Sequence, residues 1–247
     1  MEEKKKGGKR AAPSRRGWLL VALVLAGLGI WGILEWRAHT APGPGVAVSE
    51  EALTRSEPFY QYDAPGVTVR AGVDVSSYQG VVDWPAVKAA GADFAMLRVG
   101  FRGYGTGALV EDSTFAQNAA DAAKAGLTVG VYFYSQAVTE EEAAEEARFV
   151  VERLRGTNVS GPIAYDLEFY TADEARTDDL TGEQATQNAI AFCDVIRQAG
   201  YEPVVYMNLH WAGSMYGMEE LAHLPVWLAS YGPVPALDRG AVSYTHL

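Results

Sequence analysis

Residues 128–169 read TVGVYFYSQAVTEEEAAEEARFVVERLRGTNVSGPIAYDLEF. Two runs rich in β-branched and aromatic residues, Thr128–Tyr134 and Ile163–Phe169, enclose a helical stretch at Thr139–Arg155. Thr139, three residues before Glu142, gives that helix a capping-box start. Strand, helix, strand is the unit that joins two parallel strands by a crossover. The runs are nearly continuous in apolar character, as in a sheet covered on both faces.

The same alternation extends outward in both directions. Upstream lie a strand at Gly72–Ser76, a short helix over Trp84–Ala90 ending at Gly91, a strand at Phe94–Val99, and a helix at Phe115–Ala125 stopped by Gly126. Downstream come a helix at Thr181–Ala199, opened by Thr181 and Gln184 and ended by Gly200, then strands at Val204–Met207 and Val226–Ala229. Glycine just past the last turn is the usual helix stop, because it adopts positive φ freely. Six such strands, with polar residues at their C-terminal ends, predict an α/β fold of the TIM-barrel kind. An open doubly wound sheet is the alternative. No glycine-rich phosphate loop follows the first strand, which speaks against its nucleotide-binding version.

Ahead of this body, Gly17–Leu34 (GWLLVALVLAGLGIWGIL) is free of charge. As a helix it spans about 27 Å, close to the thickness of a bilayer's hydrocarbon layer. Trp18, Trp31 and Trp36 lie towards its ends, where indole rings favour the interface. The expectation is one uncleaved transmembrane helix over 17–36, since a signal peptide would be shorter and followed by a small-residue cleavage site. Residues 1–16 form a basic tail with seven of the 20 Lys+Arg and two of the 31 Asp+Glu. By difference, residues 17–247 carry 13 basic and 29 acidic groups. The positive-inside rule then keeps the N-terminus cytoplasmic and puts the acidic body outside the cell. That acidity argues against a nucleic-acid partner. Residues 37–70, with Ala41-Pro42-Gly43-Pro44-Gly45, Pro58 and Pro65-Gly66, read as a linker, leaving 71–247 as the globular domain. Cys193 is the single cysteine, so no intramolecular disulfide can form, and its apolar helical setting predicts a packed, inert thiol.

Asp166 and Glu168 stand at i and i+2 on the fourth strand and therefore share a face. Two carboxyls this close disfavour joint ionisation, so one keeps its proton near neutral pH. A proton donor beside a persistent anion suits cleavage of a glycosidic bond. Asp74, at the end of the first strand, belongs to the same rim in a barrel. Tyr134, Tyr206 and Trp227 sit at or near strand ends and are the candidate surfaces for stacking against sugars. Arg98, on the second strand, needs an acidic partner. His210 and His223 are weak metal candidates, and this chemistry requires neither metal nor cofactor.

Gly72-Val73-Asp74-Val75-Ser76 with Tyr78-Gln79-Gly80 and Asp83-Trp84, then Phe94–Gly100, Gly130–Ser135, Tyr165–Glu168 and Pro225–Tyr231, follow one another in order along the chain. Together, in register, these segments resemble the family 25 glycoside hydrolases, the Chalaropsis-type lysozymes or N-acetylmuramidases. The resemblance implies an irregular (β/α) barrel that hydrolyses the β-1,4 bond between N-acetylmuramic acid and N-acetylglucosamine in peptidoglycan. Glu168 matches the general acid, and Asp166 the carboxylate that stabilises the acetamido group or the oxocarbenium-like centre. Asp74 matches the first-strand acid of the cleft. The residue pattern alone does not rank the two carboxyls.

The family pattern also has a late Trp-Gln-Tyr strand and a last strand with another acid, and neither precedes Leu247. The expectation from sequence is a barrel incomplete at its C-terminal side, of doubtful activity as it stands, with no role carried to Asp238. Two further functions fit the residues: a non-catalytic cell-wall binder that keeps the cleft, and a glycosidase acting on another N-acetylated polysaccharide such as chitin.

Overall fold

The computed structural model describes residues 53–56, 58–63, 68–169, 174–229 and 242–243, all within the unit Pro44–Leu247. The basic tail and the anchor expected over 17–36 lie outside the described residues, as do Tyr231 and Asp238. Among the described residues no helix is long and apolar enough to cross a membrane.

In chain order the elements are β1 (Leu53–Ser56), β2 (Phe59–Tyr62), β3 (Gly72–Val75), α1 (Trp84–Ala89), β4 (Phe94–Arg102), β5 (Leu109–Glu111), α2 (Phe115–Lys124) and β6 (Thr128–Ser135). They continue with α3 (Glu140–Arg153), β7 (Ile163–Leu167), α4 (Gly182–Gln198), β8 (Pro203–Asn208), α5 (Leu209–Ser214), α6 (Met218–Leu221), β9 (Val226–Ala229) and β10 (Val242–Ser243). All six expected strands and the four expected helices are present, with ends shifted by a few residues.

The main sheet runs β3-β4-β6-β7-β8-β9-β10, every pair parallel, with β5 added antiparallel to β4. Consecutive strands are neighbours and the order never reverses, which removes the doubly wound alternative, whose order must reverse at a switch point. Among the described residues β3 and β10 do not pair with each other, so the sheet is a curled half-barrel rather than a closed one.

Two apolar clusters lie on its opposite faces. The larger joins Leu97, Val99, Val131, Phe133, Ile163, Tyr165, Leu167, Val205 and Met207 of the strands to the helices. The helices face it with small residues at helical spacing: Ala143, Ala147 and Val150 on α3, and Ala185, Ala189, Phe192, Cys193 and Ile196 on α4. Alanine at these positions lets a helix approach the sheet closely. Cys193 is buried there, and burial pushes its thiol up to about 12, as expected of an inert cysteine. The smaller cluster, Met96, Ala164, Val204, Tyr206, Trp227 and Ala229 with Phe94 and Tyr132, is built from strand residues alone and forms the concave wall.

Three helices stop where glycine was expected to stop them, at Gly91, Gly126 and Gly200, with φ of 103°, 82° and 88°. The two expected capping boxes are half formed. Thr139 and Thr181 accept from the N–H of Glu142 and Gln184. The glutamate and glutamine side chains go elsewhere, Glu142 to Val138 N and Arg176, and Gln184 to Asn188. A complete box closes instead around Ser76 and Gln79, directly after β3.

Three features depart from the sequence reading. The stretch taken as linker contains the antiparallel β1–β2 pair, whose Phe59 packs against the main core; Pro58 between the strands had marked a break in the sequence. Strand β4 runs on to Arg102 so that β5 can pair with it, and Gly100 allows this because a Cβ there would strike the Val110 carbonyl. Strand β7 ends at Leu167, two residues early, so Glu168 lies just beyond it and Phe169 turns to meet Trp211 edge-on at 5.3 Å.

Candidate active site

Parallel register sets the inner surface of the half-barrel. Tyr134 on β6 is level with Asp166 on β7, Asp166 with Tyr206 on β8, and Tyr206 with Trp227 on β9. One row across four strands therefore holds Asp166 and all three aromatics singled out from sequence. Two residues earlier along each strand, Tyr132, Ala164 and Val204 form a second row, with Arg98 of β4 level with Tyr132. Asp74 joins from β3, where it accepts a hydrogen bond from the Tyr132 hydroxyl at 3.3 Å.

Asp166 is 7% exposed, and its Oδ1 has no hydrogen-bond partner among the described residues. Burial pushes its carboxyl well above the usual carboxylate range, and the charges of Glu168 and then Asp74 push it further, with Arg98 opposing. Burial likewise raises the Tyr132 hydroxyl, with Asp74 and Asp166 adding to it, so this tyrosine stays a neutral donor. Of the three acids expected on one rim, Asp166 thus feels the other two. Glu168 is partly exposed beside the buried Asp166, and its main-chain carbonyl accepts from the Gln136 amide at 2.7 Å.

The aromatics differ in how much surface they offer. Tyr206 and Trp227 are 2% and 3% exposed and meet edge to face at 5.2 Å, and Tyr132 also meets Trp227 edge to face, at 5.8 Å. They form the packed floor of the wall. Tyr134 keeps part of its surface. Tyr78, 86% exposed, stands at the rim over the Arg98 guanidinium at 5.0 Å.

Arg98 finds its acid in Asp112, a residue with no signal in the sequence. Nε and Nη2 hold Asp112 Oδ2 at 2.8 and 2.7 Å, and Nη2 also donates to the Ser77 hydroxyl. Although burial pushes the Asp112 carboxyl up, the N–H groups of Ser77 and Thr114, the Thr114 hydroxyl and Arg98 together hold it below the usual range. This fixes a cation near Asp166 and pins the chain that follows Asp74. The neighbouring motif is also structural: Asp83 caps α1 through Ala86 N, and buried Trp84 donates to Asn118. The described residues contain no group of three or more His, Cys, Asp or Glu arranged to hold a metal ion.

The family model "Glycosyl hydrolases family 25" matches residues 73–244. An autolytic lysozyme of Clostridium acetobutylicum is 26% identical over 176 residues, 71% of this chain and 49% of the relative. Lysozyme M1 of Streptomyces globisporus is 27% identical over 193 residues, 70% of this chain and 59% of the relative. The chain thus spans about half the length of these curated relatives. Among solved structures, a family 25 glycosyl hydrolase from Bacillus anthracis superposes with a TM-score of 0.55 at 21% identity, covering 74% of this chain and 80% of that one.

Proposed function

The chain belongs to glycosyl hydrolases family 25, and from that membership we propose that it is a peptidoglycan hydrolase, an N-acetylmuramidase cleaving the β-1,4 bond between N-acetylmuramic acid and N-acetylglucosamine. The observation that carries the reading is the buried Asp166 carboxyl, raised by burial and by Glu168 and Asp74, on the inner wall of a curled parallel sheet. Catalysis at the C-terminal mouth is the rule for barrels of parallel strands. The two curated relatives are lysozymes, which supports the substrate class.

In the proposed reaction Glu168 passes its carboxyl proton to the glycosidic oxygen as the C–O bond breaks. Asp166 then stabilises the acetamido group or the oxocarbenium-like centre left on the sugar. In the empty site burial and the neighbouring acids favour the neutral form of Asp166. Positive charge developing on the sugar favours its carboxylate and leaves the pair's proton on Glu168, so the stabilisation is greater in the transition state, where rate is gained. A water later adds its oxygen to the anomeric carbon, and the proton that water loses returns to Glu168. Asp74 and Tyr132 fix the far side of the same pocket, and Tyr134 offers a ring to the sugar. Tyr206 and Trp227 shape the floor beneath it.

The test is digestion of purified cell walls by the chain. It is expected to lower turbidity and release muropeptides whose new reducing ends are N-acetylmuramic acid. Products ending only in N-acetylglucosamine would overturn the bond assignment, and wall binding with no release would overturn the activity.

We further propose that the acidic body lies outside the cell, held by a helix over 17–36 with the basic tail inside. Its support is the uncharged run Gly17–Leu34 and the charge split around it. The chain is then expected in the membrane fraction after an alkaline wash, and deletion of 17–34 is expected to release it. Release of the unaltered chain by the wash alone contradicts the anchor.

A further inference from the structure

Because β7 ends at Leu167, the Glu168 carbonyl has left the strand ladder, and a side chain takes it over. Gln136, immediately after β6, donates its Nε2 to that carbonyl at 2.7 Å and to Ser135 O at 2.9 Å. The Tyr134 hydroxyl reaches the same Glu168 carbonyl at 3.5 Å. The other end of the Gln136 amide, Oε1, accepts from the Thr177 hydroxyl at 3.1 Å. Gln136 and Thr177 are both 0% exposed. One buried amide thus joins the chain before and after the acid.

The amide is itself held from behind. The Gln136 carbonyl accepts from Arg176, whose Nη2 pairs with Glu142 at 2.7 Å. On either side, the Ser135 hydroxyl donates to buried Glu146 at 2.6 Å, and the Ala137 carbonyl accepts from Asn188 at 2.9 Å. Glu146 is anchored in turn by Arg102 Nε at 2.7 Å. A buried polar side chain is costly unless each group is paired, and an apolar residue of similar size fills space as well. An amide with both ends engaged specifies geometry, and the geometry it specifies is that of Glu168.

We propose that Gln136 is a positioning residue for Glu168, acting as a buried clasp between the Glu168 carbonyl and Thr177. The inference rests on the reading of Glu168 as the reacting acid. Catalytic groups must be held to about 0.5 Å, and a displacement of about 1 Å costs about 100-fold in rate.

The experiment measures kcat and KM for wall solubilisation by the full chain carrying Gln136→Leu, Thr177→Val, both, or Glu168→Gln, each checked for folding by circular dichroism. Gln136→Leu is expected to lower kcat about 10- to 100-fold while KM moves less than about threefold. Thr177→Val is expected to lower kcat by a smaller factor, and the double variant to be no slower than Gln136→Leu alone. A folded Gln136→Leu protein with wild-type kcat, or with equal losses in kcat and in substrate affinity, overturns the clasp. If Gln136→Leu does not fold, wild-type kcat in Thr177→Val overturns it instead. Loss of activity in Glu168→Gln together with full activity in Gln136→Leu rejects the clasp alone. Full activity in Glu168→Gln rejects the assignment on which it rests.

Discussion

Asp166 is poorly placed for stability. Its carboxyl is buried, one oxygen lacks a partner among the described residues, and two carboxylates repel its charge. A carboxyl whose folded pKa is raised weakens the native state wherever it ionises. Asp166→Asn is therefore expected to raise the melting temperature at neutral pH while abolishing activity, the usual opposition between site and stability. The sign fixes the pH range. Below the unfolded pKa of Asp, about 3.9, both proteins carry a neutral group and should melt alike. The variant's advantage then grows as pH rises towards the raised folded value and stays constant above it. Thermal melts across that range check this, and an Asn variant less stable than wild type at pH 7 would contradict it. Strand periodicity and rim position are patterns, and they singled out Asp74, Asp166 and Glu168 as candidates. Asp112 and Gln136 were hidden because each is an isolated polar residue whose partner, Arg98 or Thr177, is distant in sequence.

At the scale of elements, the sheet holds its curve because α3 and α4 cover its convex face with alanine stripes and a few large side chains. Phe192 on α4 is the largest of these on that helix, fully buried and 5.2 Å from the Tyr165 ring on β7. Phe192→Ala is expected to cost about 3–5 kcal/mol, read as a lower denaturation midpoint with unchanged slope. A loss under about 1 kcal/mol would mean that the packing between α4 and β7 does not support the sheet. Strands and helices were legible from their apolar periods, and three of the helices also from a glycine stop. Their ends were less so. The register of neighbouring strands, which decides that β7 stops at Leu167 and β4 continues to Arg102, is a tertiary property that a single run of residues does not contain. The hairpin at β1 and β2 escaped for a related reason: Pro58 signals a break but not whether the flanking runs pair.

At the largest scale, the two faces of the sheet differ among the described residues. The convex side carries the apolar core and the helices, while the concave side gathers Asp74, Tyr132, Tyr134 and Asp166 above a floor of Tyr206 and Trp227. The sequence conveyed this division through continuously apolar strands whose polar residues gather at one end. It conveyed the parallel winding and the expectation of an incomplete barrel, in line with the half-barrel of the described residues, whereas which strands meet at the edges is a tertiary property. The central claim is that Glu168, just beyond β7, donates the proton that breaks the glycosidic bond. Its most direct test is the initial rate of reducing-end release from purified peptidoglycan by Glu168→Gln compared with wild type. The account predicts a loss of about 10²- to 10⁴-fold with the fold retained, and a Glu168→Gln protein that works at the wild-type rate would contradict it.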